Sequence, residues 1–160
     1  MDNRPYRQAV RVVIFKYGNV CICEKKKPGG VWYAFPGGGI EDGDTPEVSV
    51  QKECLEEVGI VVKNIKTLGL NFTYDMVLPN PERAKIYKGG QDFWYSCDYV
   101  RKDMTLHNLE GDGLVPKWCS LEEALYLMKK DNNTEESNLN RIKVLEFLMQ
   151  SKPLKSSLRW

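Results

Sequence analysis

The sequence predicts an α/β fold in which helices pack on a mixed sheet in two or three layers. Three observations carry that expectation. Apolar, β-branched or aromatic runs lie on both sides of one helix, Gln8 to Phe15 (QAVRVVIF) before it and Phe93 to Val100 (FWYSCDYV) after it. The helix itself is delimited at both ends: Thr45 is an N-cap, Pro46 takes the first helical position, and Gly59 supplies a stop. Two more amphipathic segments close the chain. At 160 residues the whole is read as one domain, long enough to bury a core.

Taken in order, residues 1–6 are polar and read as a frayed end or an edge. Tyr17-Gly18-Asn19 turns the first strand into a hairpin partner, Val20 to Glu24. Lys25, Lys26 and Lys27 follow as a loop, and Pro28-Gly29-Gly30 makes a second turn. Val31 to Phe35 leads into the glycines 37–39. On the helix, Val48, Cys54, Leu55 and Val58 form the face that docks on the sheet. Val61 to Thr73 is extended. Leu78 to Gln91, with two prolines and Gly89-Gly90, is a long exposed loop, and His107 to Trp118 is a second loop. Ser120 and Glu123 form a capping box for a helix over Leu121 to Lys130. Leu139 to Met149 is a final amphipathic helix with Ile142, Leu145, Phe147 and Leu148 apolar, and the basic tail 151–160 is flexible or docks on a partner.

The chemistry concentrates between Gly37 and Ile60. Glu53, Glu56 and Glu57 stand at i, i+3 and i+4, so three carboxylates share one turn. Such like-charge pairs cost roughly 0.2–0.5 kcal/mol each in an isolated helix. Solvation of an exposed acidic face could offset that, and so could a hard divalent cation, Mg²⁺ or Mn²⁺, shared with waters and phosphate oxygens. The glycines before the helix allow close backbone approach to a phosphate or a metal. An alternative, in which residues 41–44 (EDGD) form a calcium loop, fails because the EF-hand spacing does not continue.

Together the glycines and acids read Gly38, five residues, Asp44, seven residues, Lys52-Glu53-Cys54-x-Glu56-Glu57-x-Gly59-Ile60. This resembles the signature box of the Nudix hydrolases, G-x5-E-x7-R-E-U-x-E-E-x-G-U. Asp44 and Lys52 depart from the Glu and Arg of the box, and Lys52 is placed to pair with Glu56 one turn on, as a point charge instead of a planar fork. The resemblance implies a Nudix-type α/β/α sandwich over about residues 5–150. It also implies hydrolysis of a nucleoside diphosphate linked to another group. By that likeness Glu53, Glu56 and Glu57 hold the metal and are catalytic, the Gly37 carbonyl completes the coordination, and Gly38, Asp44, Lys52 and Gly59 are supports. A further acid comes from the loop after His107, with Glu110 preferred to Asp112.

Substrate contacts are assigned to Lys25 and Lys26 as phosphate ligands, to Trp32 as a base-stacking ring, and to Tyr74, Arg83 and Lys85. For each lysine the alternative is a solvated charge, and for Trp32 it is core packing. A nucleoside triphosphate cleaved to monophosphate and pyrophosphate is the first substrate reading, with ADP-ribose, dinucleoside polyphosphates and a capped RNA end as rivals. A nucleotide-sensing module without turnover is the other function class, disfavoured because no box acid is lost. The family likeness, with the apolar tail, also allows a homodimer.

Net charge is +1 and the pI about 7.6, so no strong field draws the chain to nucleic acid or to an anionic membrane. Five cysteines, an odd number, fit reduced thiols better than a disulfide framework. Cys21 and Cys23 with the one His107 lack zinc spacing. With no signal peptide and no membrane-length apolar run, a soluble, cytoplasmic protein is expected.

Overall fold

The computed structural model describes residues 1–107, 114–130, 133 and 135–157. Its strands are β1 (Tyr6–Lys16), β2 (Asn19–Lys27), β3 (Gly30–Ala34), β4 (Gly37–Gly39), β5 (Ile60–Asp75), β6 (Gly89–Lys102) and β7 (Val115–Cys119). They form one sheet in the order β3-β2-β1-β6-β5, with β4 beside β1 and β7 beside β2. The β1–β6 pair is parallel from Tyr6↔Gly89 to Phe15↔Asp98, and the other pairs are antiparallel, so the sheet is mixed. The helices are α1 (Pro46–Glu53), α2 (Pro81–Ile86), α3 (Leu121–Lys129) and α4 (Glu136–Ser157), and α1 runs on into a π-helical turn over Cys54–Val58.

Strand periodicity divides the core in two. Val10, Val12 and Ile14 alternate along β1 and pack with Val50, Cys54 and Val58 beneath α1. Val13 turns the other way, into a cluster with Trp94, Ala124, Leu127, Val144 and Leu145 beneath α3 and α4. The sheet therefore lies between helical layers, the expected α/β/α sandwich.

Several local expectations are corrected. The segment 78–91 is not a continuous loop: Asn80 caps α2 by accepting from the Arg83 amide at 3.1 Å, and Gly89 and Gly90 are buried in β6. Those glycines answer a packing need, because a Cβ on Gly89 would strike the Tyr74 carbonyl and one on Gly90 the Tyr74 ring. Residues 37–39 form a strand, and Lys25–Lys27 belong to β2 instead of a loop. Trp118 and its neighbours are β7, paired to β2 at Cys21↔Trp118. Val48 is exposed, since the buried face of α1 runs through Val50 and continues at Cys54 and Val58; in α4 Phe147 is exposed and Val144 buried. The α3 cap is as expected, Ser120 Oγ accepting from the Glu123 amide at 3.0 Å. All five cysteines are free and buried. α4 continues to Ser157, while the tail's side chains from residue 152 onward, and with them its suggested docking role, lie outside the described residues. No helix among the described residues is long and apolar enough to cross a membrane.

Candidate active site

The three glutamates are displayed because α1 buries the opposite face. Thr45 Oγ1 accepts from the Val48 amide at 3.2 Å and Pro46 follows, which fixes the start of the helix. Val50, Cys54 and Val58 hold it to the sheet. The π-helical turn then carries Glu56 and Glu57, and it ends on Gly59 at φ 65°, a left-handed cap that a β-carbon would strain. Glu53 and Glu57 are half-buried and Glu56 is exposed.

β4 supplies the other half of this geometry. The Gly37 amide donates to Glu57 Oε1 at 3.0 Å. A Cβ on Gly38 would collide with the Glu53 carboxylate. Across the same strand, a Cβ on Gly37 would meet the Val10 carbonyl and the Arg11 side chain, and one on Gly39 the Arg7 guanidinium. A strip of bare backbone thus separates acids carried by α1 from arginines carried by β1.

A cleft of about 990 Å³ opens there, lined by Glu53, Glu56 and Glu57, by Arg7, Arg11 and Arg141, and by Trp32, Phe35 and Tyr74, with Met76, Pro79, Leu106 and Leu114 as apolar wall. Arg11 pairs with the buried Asp92 at 3.3 Å, and Tyr74 Oη reaches both Asp92 oxygens at 3.2 and 3.3 Å. Burial works against the Arg11 charge, but Asp92 and Tyr74 outweigh it and strengthen the guanidinium's hold on its proton. Arg141 forms no salt bridge among the described residues: burial, with Arg11 nearby, outweighs the pull of Asp92 and Tyr74 and brings its pKa down to about 10. Its guanidinium stands 5.9 Å from the Trp32 ring centre.

Of the residues expected at the site, Glu53, Glu56, Glu57, Gly37, Gly38, Trp32 and Tyr74 are brought together. Lys25 and Lys26 do not line the cleft; Lys25 lies over the Trp32 ring at 5.8 Å. Arg83 also stays off the cleft wall, on α2, and Lys85 faces Glu82 at 3.5 Å in solvent. Glu110 and Asp112 lie outside the described residues. Lys52 does not turn to Glu56: its ammonium meets Asp44 at 2.6 Å, so the two departures from the box face each other. Both ends of that contact reach solvent, and the expected result of Asp44→Ala is a thermal midpoint almost unchanged, the small difference vanishing at high salt. Equal midpoints shifts at low and high salt would contradict this.

Sequence reading missed Arg7, Arg11, Asp92 and Arg141. Arg11 carried a signal, a charge inside an apolar strand, where an unpaired arginine is seldom buried. His107 was also missed as a support; its Nε2 contacts the Glu57 carbonyl at 2.9 Å.

The donors here are oxygens, which suits a hard divalent cation. Among the described residues no three His, Cys, Asp or Glu side chains are grouped so as to hold a metal ion by themselves, so an ion would also draw on waters and substrate oxygens. Burial, then Glu57 and Glu56, push Glu53 up to about 7 from the usual 4.5, with the Arg11 guanidinium opposing them only in part. Between those values the folded, metal-free chain binds the extra proton, so its stability falls as pH rises through that window. A cation must displace that proton. The expected outcome is that Mg²⁺ or Mn²⁺ affinity, followed calorimetrically, weakens about tenfold per pH unit below 7 and levels off above it.

Comparison with known proteins agrees with this geometry. The sequence model of the NUDIX domain matches residues 5–144. An RNA pyrophosphohydrolase of Caulobacter vibrioides is 27% identical over 135 residues, 77% of each chain. Nudix hydrolase 25 of Arabidopsis thaliana is 32% identical over 133 residues, 74% of each. Among solved structures, a NUDIX hydrolase from Nitrosomonas europaea superposes with a TM-score of 0.63 over 86% of both chains at 17% identity, a likeness of fold. With a box helix, a glycine strand and a family match that spans every strand of the sheet, this chain belongs to the NUDIX family and is a hydrolase acting on pyrophosphate bonds.

Proposed function

We propose that the chain is a single-domain, cytoplasmic, metal-dependent pyrophosphohydrolase of nucleoside 5′-triphosphates, releasing pyrophosphate and leaving the monophosphate. The observation that carries this reading is the joining of three carboxylates, three guanidiniums and an indole in one cleft. Glu53, Glu56, Glu57 and the Gly37 carbonyl would hold Mg²⁺ or Mn²⁺. When bound, the ion neutralises phosphate oxygens and lowers the pKa of a bound water. Glu57 is oriented by the Gly37 amide, which donates to its Oε1 at 3.0 Å. Glu56 would accept the proton of the attacking water, a role that its exposure to solvent supports. As the water adds to phosphorus the α–β anhydride bond breaks, and pyrophosphate leaves with the charge of the bridging oxygen. Trp32 offers a ring face to the base.

A 5′-triphosphorylated RNA end is the second reading, supported by the Caulobacter relative over 77% of the chain. Turnover of nucleoside triphosphates, ADP-ribose, a dinucleoside tetraphosphate and a 5′-triphosphorylated oligonucleotide, with Mg²⁺ or Mn²⁺, separates the two. Pyrophosphate from free triphosphates at rates equal to or above the oligonucleotide supports the first. Binding of nucleotide and metal without any turnover would return the sensing module.

A further inference from the structure

The arginine side of the cleft carries more charge than its own carboxylate can balance. Arg7 and Arg11 stand four residues apart on β1 and so share a face of the sheet, and Arg141 approaches from α4. Asp92, only 5% exposed, is the acid that meets them, and its ion pair is to Arg11. Among the described residues neither Arg7 nor Arg141 forms a salt bridge. Burial depresses the proton affinity of both, and the neighbouring arginines add to it, Arg83 and Arg11 for Arg7 and Arg11 for Arg141, outweighing Tyr87 and Glu53 at the first and Asp92, Tyr74 and Glu135 at the second. Half-buried guanidiniums held close without matching carboxylates are costly unless an anion arrives. Asp92 and Tyr74 keep Arg11 pointed, so that cost is met by a built arrangement and not by mobile surface charges.

The position of this wall matters as much as its charge. β4 sets Glu53 beside Gly38 and Arg11 and Arg7 beside Gly37 and Gly39, and its glycines place no side chain of their own between them. A ligand whose reacting phosphates lie over Glu53, Glu56 and Glu57 would meet Arg7, Arg11 and Arg141 with a further anionic group across that strand. We propose that Arg7, Arg11 and Arg141 form a second phosphate subsite, taking a phosphate of the substrate other than those held over the glutamates. Guanidinium forks match phosphate oxygens in pairs, which makes this a specificity device as well as an attraction. The subsite rests on the proposed reaction only for its role in turnover. That phosphate is either the third of the 5′ chain or one carried on the ribose.

The test has one arm that needs no turnover. Inorganic tripolyphosphate is titrated calorimetrically into the full chain in EDTA at low salt, beside Arg7→Gln, Arg141→Gln and the double variant, each checked for native circular dichroism. The wild type is expected to bind, and each single change to weaken binding by about tenfold or more, the scale of a charged hydrogen bond. Arg141→Lys should restore part of it, since charge returns without the fork. Absence of binding by the wild type, or equal binding by the double variant, overturns the subsite.

The second arm compares kcat/KM with Mg²⁺ for ATP, ADP, ADP-ribose and adenosine 3′-phosphate 5′-diphosphate. Preference for ATP assigns the subsite to the third chain phosphate, and preference for the 3′-phosphorylated diphosphate assigns it to a ribose phosphate. In either case the preference over ADP-ribose is expected to collapse in Arg141→Gln. A preference unmoved by that change, or none to begin with, speaks against the subsite. Tripolyphosphate binding without turnover of any substrate would instead sink the proposed reaction and leave the subsite standing.

Discussion

Glu57→Gln is expected to lower pyrophosphate release by about 10²–10³-fold, the usual cost of losing one electrostatic contact made to the transition state. The substitution keeps the shape of the side chain and can keep the contact to the Gly37 amide through its carbonyl oxygen. What it removes is the negative charge through which Glu57 would share a cation with the substrate. The fold should be untouched, because Glu57 is only half-buried and the helix is held by Val50, Cys54 and Val58. The checking measurements are kcat at saturating Mg²⁺ together with the thermal midpoint. A slow enzyme with an unchanged midpoint is the expected pair of results. Near-normal kcat at high Mg²⁺ would show that Glu57 is a support and not part of the charge that holds the ion. Glu56→Gln, run beside it, should slow turnover while altering metal affinity less, if it serves as base.

Two neighbouring glycines should fail in opposite ways. In Gly37→Ala the new methyl would drive into the Val10 carbonyl, and backbone of the central strand cannot swing aside. Overpacking of this kind costs typically about 1–3 kcal/mol, and more where backbone must move, so a clear fall in denaturation midpoint is expected. In Gly38→Ala the methyl meets the Glu53 carboxylate, the far end of a flexible side chain. Glu53 can rotate away, so stability should change little, while metal affinity falls by about 10–100-fold because a ligand has been turned off target. Urea denaturation and Mn²⁺ titration of both variants test the pair. If both lost stability equally, β4 would be serving the fold alone.

How far the sequence could be read depended on the range of the interaction involved. The box helix was legible because its determinants are local: Thr45 caps it, Pro46 starts it, Gly59 ends it, and the acids follow one another within a turn. The capping box of Ser120 was equally local. Gly89 and Gly90 were misread, because the same residue type serves a turn and a tight strand contact, and only the position of Tyr74 distinguishes the two. Lys52 was misassigned for a similar reason. Helical spacing offered Glu56, while the chain folding back before the helix offered Asp44 at 2.6 Å.

The sequence by itself determined the layered α/β class, the family and the acidic half of the cleft, since these rest on periodicity and on a motif contiguous in the chain. The tertiary structure alone decided the basic half. Arg7 and Arg11 on β1, Tyr74 on β5, Asp92 on β6 and Arg141 on α4 come from four separate elements, and their association depends on the parallel pairing of β1 with β6 and on α4 packing over that face. Strand pairing across eighty residues leaves no spacing to read in a single chain, so charges gathered in this way become visible only when the sheet is assembled.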